Sequence, residues 1–182
     1  MLENQLLISM PRRTESVFDQ ILVYVCEHNT KGAVGLIVNC LTEYPLEFIF
    51  DQLDIKSKTQ KISEQKIFFG GPVQQDRGFV LHRPFKGFKA NLALNNEICV
   101  STSKEILKRI AKGEGPEDSL VTLGYAGWAA DQLEEEIREN LWLTCDVDEN
   151  ILYNVPVEKR WQTAIDSLGF DVSQLITVAG NA

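Results

Sequence analysis

Residues 97–125 read EICVSTSKEILKRIAKGEGPEDSLVTLGY, and their pattern sets the fold class. Glu97 to Ser101 is short, apolar and strand-like, and Thr102-x-x-Glu105 has the form of a capping box. Ile106, Leu107, Ile110 and Ala111 then recur at the spacings of one helix face, and Gly113 supplies the stop. Ser119 to Tyr125 returns to strand composition. Strand, helix and strand in that order imply a right-handed crossover with its helix packed on a sheet.

Outward from this unit the alternation continues. A helix carries Leu133, Ile137 and Leu141 at spacings of four, with Glu134, Glu135 and Glu136 turned mostly outward. Asn150 to Tyr153 reads as a last strand. Pro156 opens a helix whose Val157, Trp161, Ala164, Ile165 and Leu168 face inward, and Gly169 ends it. Toward the N-terminus, Asn4 to Ser9 is a strand candidate interrupted at Met10-Pro11. Val17 to Cys26 and Ala33 to Asn39 are β-branched and aromatic runs, and the turn composition His28 to Gly32 joins them as a hairpin. Pro45 with Leu46, Ile49, Phe50 and Leu53 marks a short amphipathic helix. Lys66 to Phe69 and Phe79 to His82 are two further strands across a glycine-bracketed connection, while the polar stretch around Lys56, Lys58, Lys61 and Lys66 reads as a mobile, solvated loop. The expected fold is α/β: a mixed sheet with N-terminal antiparallel hairpins and C-terminal strand-helix crossover units, helices covering the sheet, in a single domain over 1–182.

The 182 residues are 44% hydrophobic and 24% charged, enough apolar content for a packed core and too little net charge for disorder. No run approaches the length needed to span a bilayer, and Met1-Leu-Glu-Asn lacks a basic leader, so we expect a cytoplasmic chain with no membrane partner. Eighteen Lys and Arg stand against 26 Asp and Glu, a formal charge of −8. Residues 1–91 hold 11 against 10, and residues 92–182 hold 7 against 16. An acidic half repels a phosphate backbone, so direct nucleic-acid binding is disfavoured. Cys26, Cys40, Cys99 and Cys145 form no C-x-x-C pair, and two histidines cannot build a three-histidine site; no metal and no cofactor are expected.

Three clusters carry chemistry-bearing residues. Cys26-Glu27-His28 places a thiol and an imidazole two apart, on one face of a strand, the minimal equipment for a covalent nucleophile. A buried structural cysteine beside a turn histidine is the competing reading. Gly70-Gly71-Pro72 through Asp76-Arg77-Gly78 offers close backbone approach and a guanidinium fork for a carboxylate or phosphate, or else a structural hairpin. It is not a phosphate-binding Walker loop, since no G-K-[ST] follows. Ser101-Thr102-Ser103 offers hydroxyls at a helix start, as caps or as anion ligands. Gly124-Tyr125-Ala126-Gly127-Trp128 follows an expected strand end, where crevices of open α/β sheets lie, so Tyr125 and Trp128 are candidate liners. No G-x-S-x-G, H-E-x-x-H or kinase signature is present.

Several blocks resemble the bacterial AlgH/YqgE family. Leu6-Leu-Ile-Ser-Met-Pro, Val23-Tyr-Val-Cys-Glu-His-Asn and Gly32-Ala-Val-Gly-Leu-Ile-Val-Asn are similar to its opening. Phe69-Gly-Gly-Pro-Val with Arg77-Gly-Phe-Val-Leu-His is similar to its centre, and Leu123-Gly-Tyr-Ala-Gly-Trp to its third block, with Gln132-Leu-Glu and Asn140-Leu-Trp-Leu after it. Ile151-Leu, Arg160-Trp161 and Leu168-Gly169 fit its ending. Cys40-Leu41 stands where the family often has Lys-Pro. The resemblance implies a small mixed α/β cytoplasmic protein and carries over no catalytic residue. The name of one member, a regulator of alginate genes, suggests a regulatory role.

These readings lead to a regulatory or ligand- or partner-binding protein, without catalysis and without direct DNA contact, acting through a small molecule or another protein. The alternative is a cysteine-dependent enzyme or redox sensor acting on an anionic small molecule. Catalytic candidates are Cys26 and His28; ligand-binding candidates are Gly70, Gly71, Arg77 and Tyr125.

Overall fold

The computed structural model describes residues 1–10, 20–169 and 171. Its contacts divide the chain into two compact units: unit 1, Met1–Asn39 with Gly127–Ala182, and unit 2, Cys40–Ala126.

Unit 1 holds strands β1 (Gln5–Ser9), β2 (Leu22–Asn29), β3 (Gly32–Ile37) and β10 (Trp142–Asp146). They pair antiparallel in the order β10-β1-β2-β3. The hairpin expected around His28 to Gly32 is β2–β3, with Asn29 opposite Gly32. Val17 to Asp19 of the expected strand, and Pro11, lie outside the described residues. Leu6, Leu7 and Ile8 are all buried, so β1 is covered on both faces. Helix α6 (Arg160–Ser167) lies on it, and the Trp161 indole donates to the Ser9 carbonyl at 3.1 Å. Buried Arg160 donates to the carbonyls of Val155 at 3.0 Å and Val38 at 2.6 Å. Burial lowers its pKa to about 10, and it stays charged at neutral pH.

Residues 150–153 were expected as a strand and form helix α5 (Glu149–Tyr153) instead. The Asp148 carboxylate accepts from the Asn150 amide at 2.9 Å, an N-cap that short apolar periodicity does not reveal. Helix α4 (Gln132–Arg138) stops before Leu141, because Trp142 to Asp146 leaves as β10.

In unit 2, β4 (Leu41–Pro45) pairs antiparallel with β5 (Lys66–Phe69), and β5 runs parallel to β9 (Ser119–Ala129). Strand β6 (Val73–His82) is antiparallel to both β9 and β8 (Cys99–Ser101), and β7 (Leu92–Ala93) closes on β8. Strands β8 and β9 therefore run the same way with β6 between them, and helix α3 (Lys104–Ala111) makes the expected crossover. Helix α1 (Leu46–Gln52), started by Pro45, joins α3 over a core of Leu46, Ile49, Phe50, Ile67, Ile106, Ile110 and Val121.

Four local expectations for unit 2 are corrected. The strand expected over Phe79 to His82 begins at Val73, so most of the expected connection from Gly70 to Gly78 is β6. The capping residue of α3 is Ser103, with no side-chain bond; Thr102 instead gives its amide to Asn91 Oδ1 at 2.9 Å. The expected solvated loop contains helix α2 (Gln60–Ser63), capped by Thr59 and anchored by Ile62 against the core. Finally, β9 does not end at Tyr125 but runs on to Ala129. The Gly124 to Trp128 stretch is thus strand, not a loop beyond a strand end.

Candidate functional site

Cys26 sits at a β-bulge, the extra residue between the pairs Val25–Gly35 and Glu27–Val34. It is 6% exposed, and its thiol points to the Tyr24 carbonyl at 3.8 Å. Burial, with Glu27 nearby, pushes it up to about 12, so it is a protonated thiol at neutral pH. His28 is buried two residues on and faces other partners. Its Nδ1 accepts from the Leu2 amide at 3.0 Å, so Nε2 carries the proton and donates to Glu134 Oε1 at 2.7 Å. A bond from its own backbone and the His28 bond hold the Glu134 carboxyl below the usual range. The thiol and the imidazole have separate hydrogen-bond partners and none between them. On the same helix α4, Glu136 Oε2 accepts from the indoles of Trp128 and Trp142, each at 2.8 Å. The expected liner Trp128 is thus a packed, bonded residue of unit 1.

The four ligand candidates lie in unit 2 and divide by role. A Cβ on Gly70 would stand 2.3 Å from the Gly124 carbonyl, and one on Gly71 would stand 2.1 Å from the Tyr125 backbone. Both glycines are buried and serve close backbone approach between the β5–β6 turn and β9. Tyr125 meets Phe79 edge to face at 5.7 Å, and the Arg77 guanidinium carbon lies 5.3 Å from the Phe79 ring centre. Of the four, Arg77 lines the groove between α1 and α3.

That groove, about 690 Å³, lies between α1 and α3. Its floor is Ile49, Leu53, Leu107 and Leu123, continuous with the unit 2 core. Tyr44 and Phe48, ring centres 4.7 Å apart, form an apolar wall. The rim carries Gln75, Asp76, Arg77, Thr102 and Lys104. Beside it β6 slips register: the six residues Val73 to Gly78 lie against the three residues Leu123 to Tyr125 of β9, and the intervening Gln74 to Arg77 form a bulge. Among the described residues the Arg77 side-chain hydrogen bond runs from Nη1 to Gln74 Oε1 at 3.4 Å. Arg83, Arg109 and Arg138 each hold a carboxylate, whereas Arg77 and Lys104 hold none among the described residues.

Sequence reasoning passed over Tyr44, Phe48 and Lys104. Phe48 falls off the inward stripe of Leu46, Ile49, Phe50 and Leu53, and an aromatic on the polar face of a short helix is a legible sign of a second contact surface.

Another pair also went unremarked. His82 Nδ1 faces the Arg83 carbonyl at 2.8 Å, so it carries the proton, and Nε2 accepts from Ser101 at 2.8 Å. The arrangement is that of a nucleophile and its base, yet the two residues are 1% and 0% exposed. It pins β6 to β8. Among the described residues no cluster of three or more His, Cys, Asp or Glu is placed to hold a metal, and no helix is long and apolar enough to cross a membrane.

A family model described as AlgH-like matches residues 6–173. A UPF0301 protein of Legionella pneumophila (strain Lens) is 46% identical over 181 residues, covering 100% of this chain and 97% of its own. A UPF0301 protein of Pseudoalteromonas translucida is 43% identical over 182 residues, covering 100% and 98%. The solution structure of the AlgH protein from Pseudomonas aeruginosa superposes with TM-score 0.79 at 42% identity, over 96% of this chain and 92% of that one. A Corynebacterium diphtheriae protein at 16% identity shares the fold, with TM-score 0.71 over 92% and 87%.

Proposed function

This chain belongs to the AlgH-like family, and we propose its function from the groove itself: a regulatory, non-catalytic protein that binds a small organic anion in unit 2. The observation that carries this reading is a pair of cations, Arg77 and Lys104, without carboxylate partners among the described residues, at the rim of an apolar groove of about 690 Å³. Pockets of that size with few convergent polar groups are typical small-molecule sites. The high pKa of the buried Cys26 thiol favours this reading over a cysteine-dependent enzyme. The reading takes residues 1–182 as one functional domain in the cytoplasm, acting through its ligand and not through nucleic acid.

The test is a thermal-shift series on the full chain with phenylacetate, 3-phenylpropionate and hexanoate. An acid at one hundred times its Kd stabilises the native state by about 2.7 kcal/mol. We expect at least one acid to raise Tm in the wild type, and the rise to be lost in Arg77→Ala. No shift with any acid, or a shift untouched by Arg77→Ala, overturns the reading.

A further inference from the structure

Resting on that reading, we infer that the groove selects an aryl monocarboxylate: a planar aromatic ring on the Tyr44–Phe48 wall, with one carboxylate on Arg77. The wall is the first observation. Tyr44 is 51% exposed and Phe48 40%, and they line the same groove as Ile49 and Leu107 of the apolar core. Their ring planes are tilted by 32°, and both residues line the groove. Aromatic surface held in this way favours another ring, by stacked or edge contacts, over a saturated body of equal size.

Charge is the second observation. The rim holds Arg77 and Lys104 against Asp76, a net of one positive charge. A monoanion balances it. A dianionic phosphate ester brings a second negative charge beside Asp76, where the repulsion is not compensated.

The third observation concerns how Arg77 is held. Its guanidinium lies over Phe79, and Phe79 is braced edge-on by Tyr125. A guanidinium held over a ring, with Nη1 donating to Gln74 Oε1 at 3.4 Å, loses less side-chain freedom on binding a carboxylate. Tyr125, placed among the ligand candidates by sequence, acts here as a positioning residue through Phe79.

The experiment is calorimetric titration of the full-length chain with 3-phenylpropionate, 3-cyclohexylpropionate and phenyl phosphate. The first two share a carbon skeleton and differ only in ring saturation. We expect 3-phenylpropionate to bind about threefold to tenfold more tightly than its saturated counterpart, the range of an aromatic pair. Phenyl phosphate should be the weakest of the three. The exposed-site variant Phe48→Leu should erase the preference between the two acids while still binding both, and Arg77→Gln should weaken both by about tenfold or more. If the saturated acid or the phosphate binds as well as the aryl acid, or if the preference survives Phe48→Leu, the aryl monocarboxylate inference falls and the anion groove stands. If no acid binds, or Arg77→Gln leaves both affinities unchanged, the groove reading falls with it.

Discussion

His82 is kept neutral by burial, which lowers its pKa against the opposing help of the Arg83 carbonyl. The unfolded chain, with an ordinary imidazole near 6.5, takes up the proton first. The stability that depends on neutral His82 is therefore complete above about 6.5 and is lost as pH falls below it. Urea midpoints of the wild type should decline from pH 7 to pH 5.5, and those of His82→Gln should decline less; parallel slopes would contradict the assignment. Glu134 and Glu136, both held low, act on stability only in a more acidic window. At this scale the sequence was partly legible. Arg77 could be picked out as a donor fork in a glycine-bracketed stretch, because glycines and an arginine are visible in any register. The partners of His28 and His82 could not, because Glu134 lies 106 positions away from one and Ser101 19 from the other.

At the scale of elements, the turn between β5 and β6 is closed by backbone contact. Gly71 has φ +153, and a Cβ there would meet the Tyr125 and Ala126 backbones at 2.1 to 2.3 Å. Gly71→Ala should cost on the order of 2 kcal/mol or more, read as a fall in Tm. Gly78→Ala, whose nearest neighbour is the Thr122 carbonyl at 3.9 Å, should stay within about 0.5 kcal/mol. Equal losses at the two positions would show that the close approach does not decide the cost. The crossover β8–α3–β9 and the hairpin β2–β3 were legible because apolar periodicity and a turn bracketed each one. Strand β10 was not: Trp142 to Asp146 follows the α4 periodicity directly, and its pairing with β1 is a contact of high sequence separation. Strand β4 was hidden for a different reason. Leu41 and Tyr44 are exposed, so no buried alternation marks it. Helix α5 was mistaken for a strand because four residues with two adjacent apolar ones fit either period.

For the molecule as a whole, charge separates the two units. Unit 2 holds 12 Lys and Arg against 11 Asp and Glu, while unit 1 holds 6 against 15. The net −8 of the chain is thus a property of unit 1, and an anion approaching the unit 2 groove meets a near-neutral surface. Half-by-half counting of the sequence found the same asymmetry without its location, since unit 1 is assembled from both ends of the chain. The groove was invisible to composition because the rim comes from β6 and α3 and the wall from β4 and α1. The most direct test of the anion groove is a nitrogen-15 amide spectrum of the full-length chain titrated with 3-phenylpropionate. The expected result is saturable movement centred on Phe48, Arg77, Lys104 and Leu123, abolished in Arg77→Gln. Movement centred on residues of unit 1, with those four amides unmoved, would contradict it.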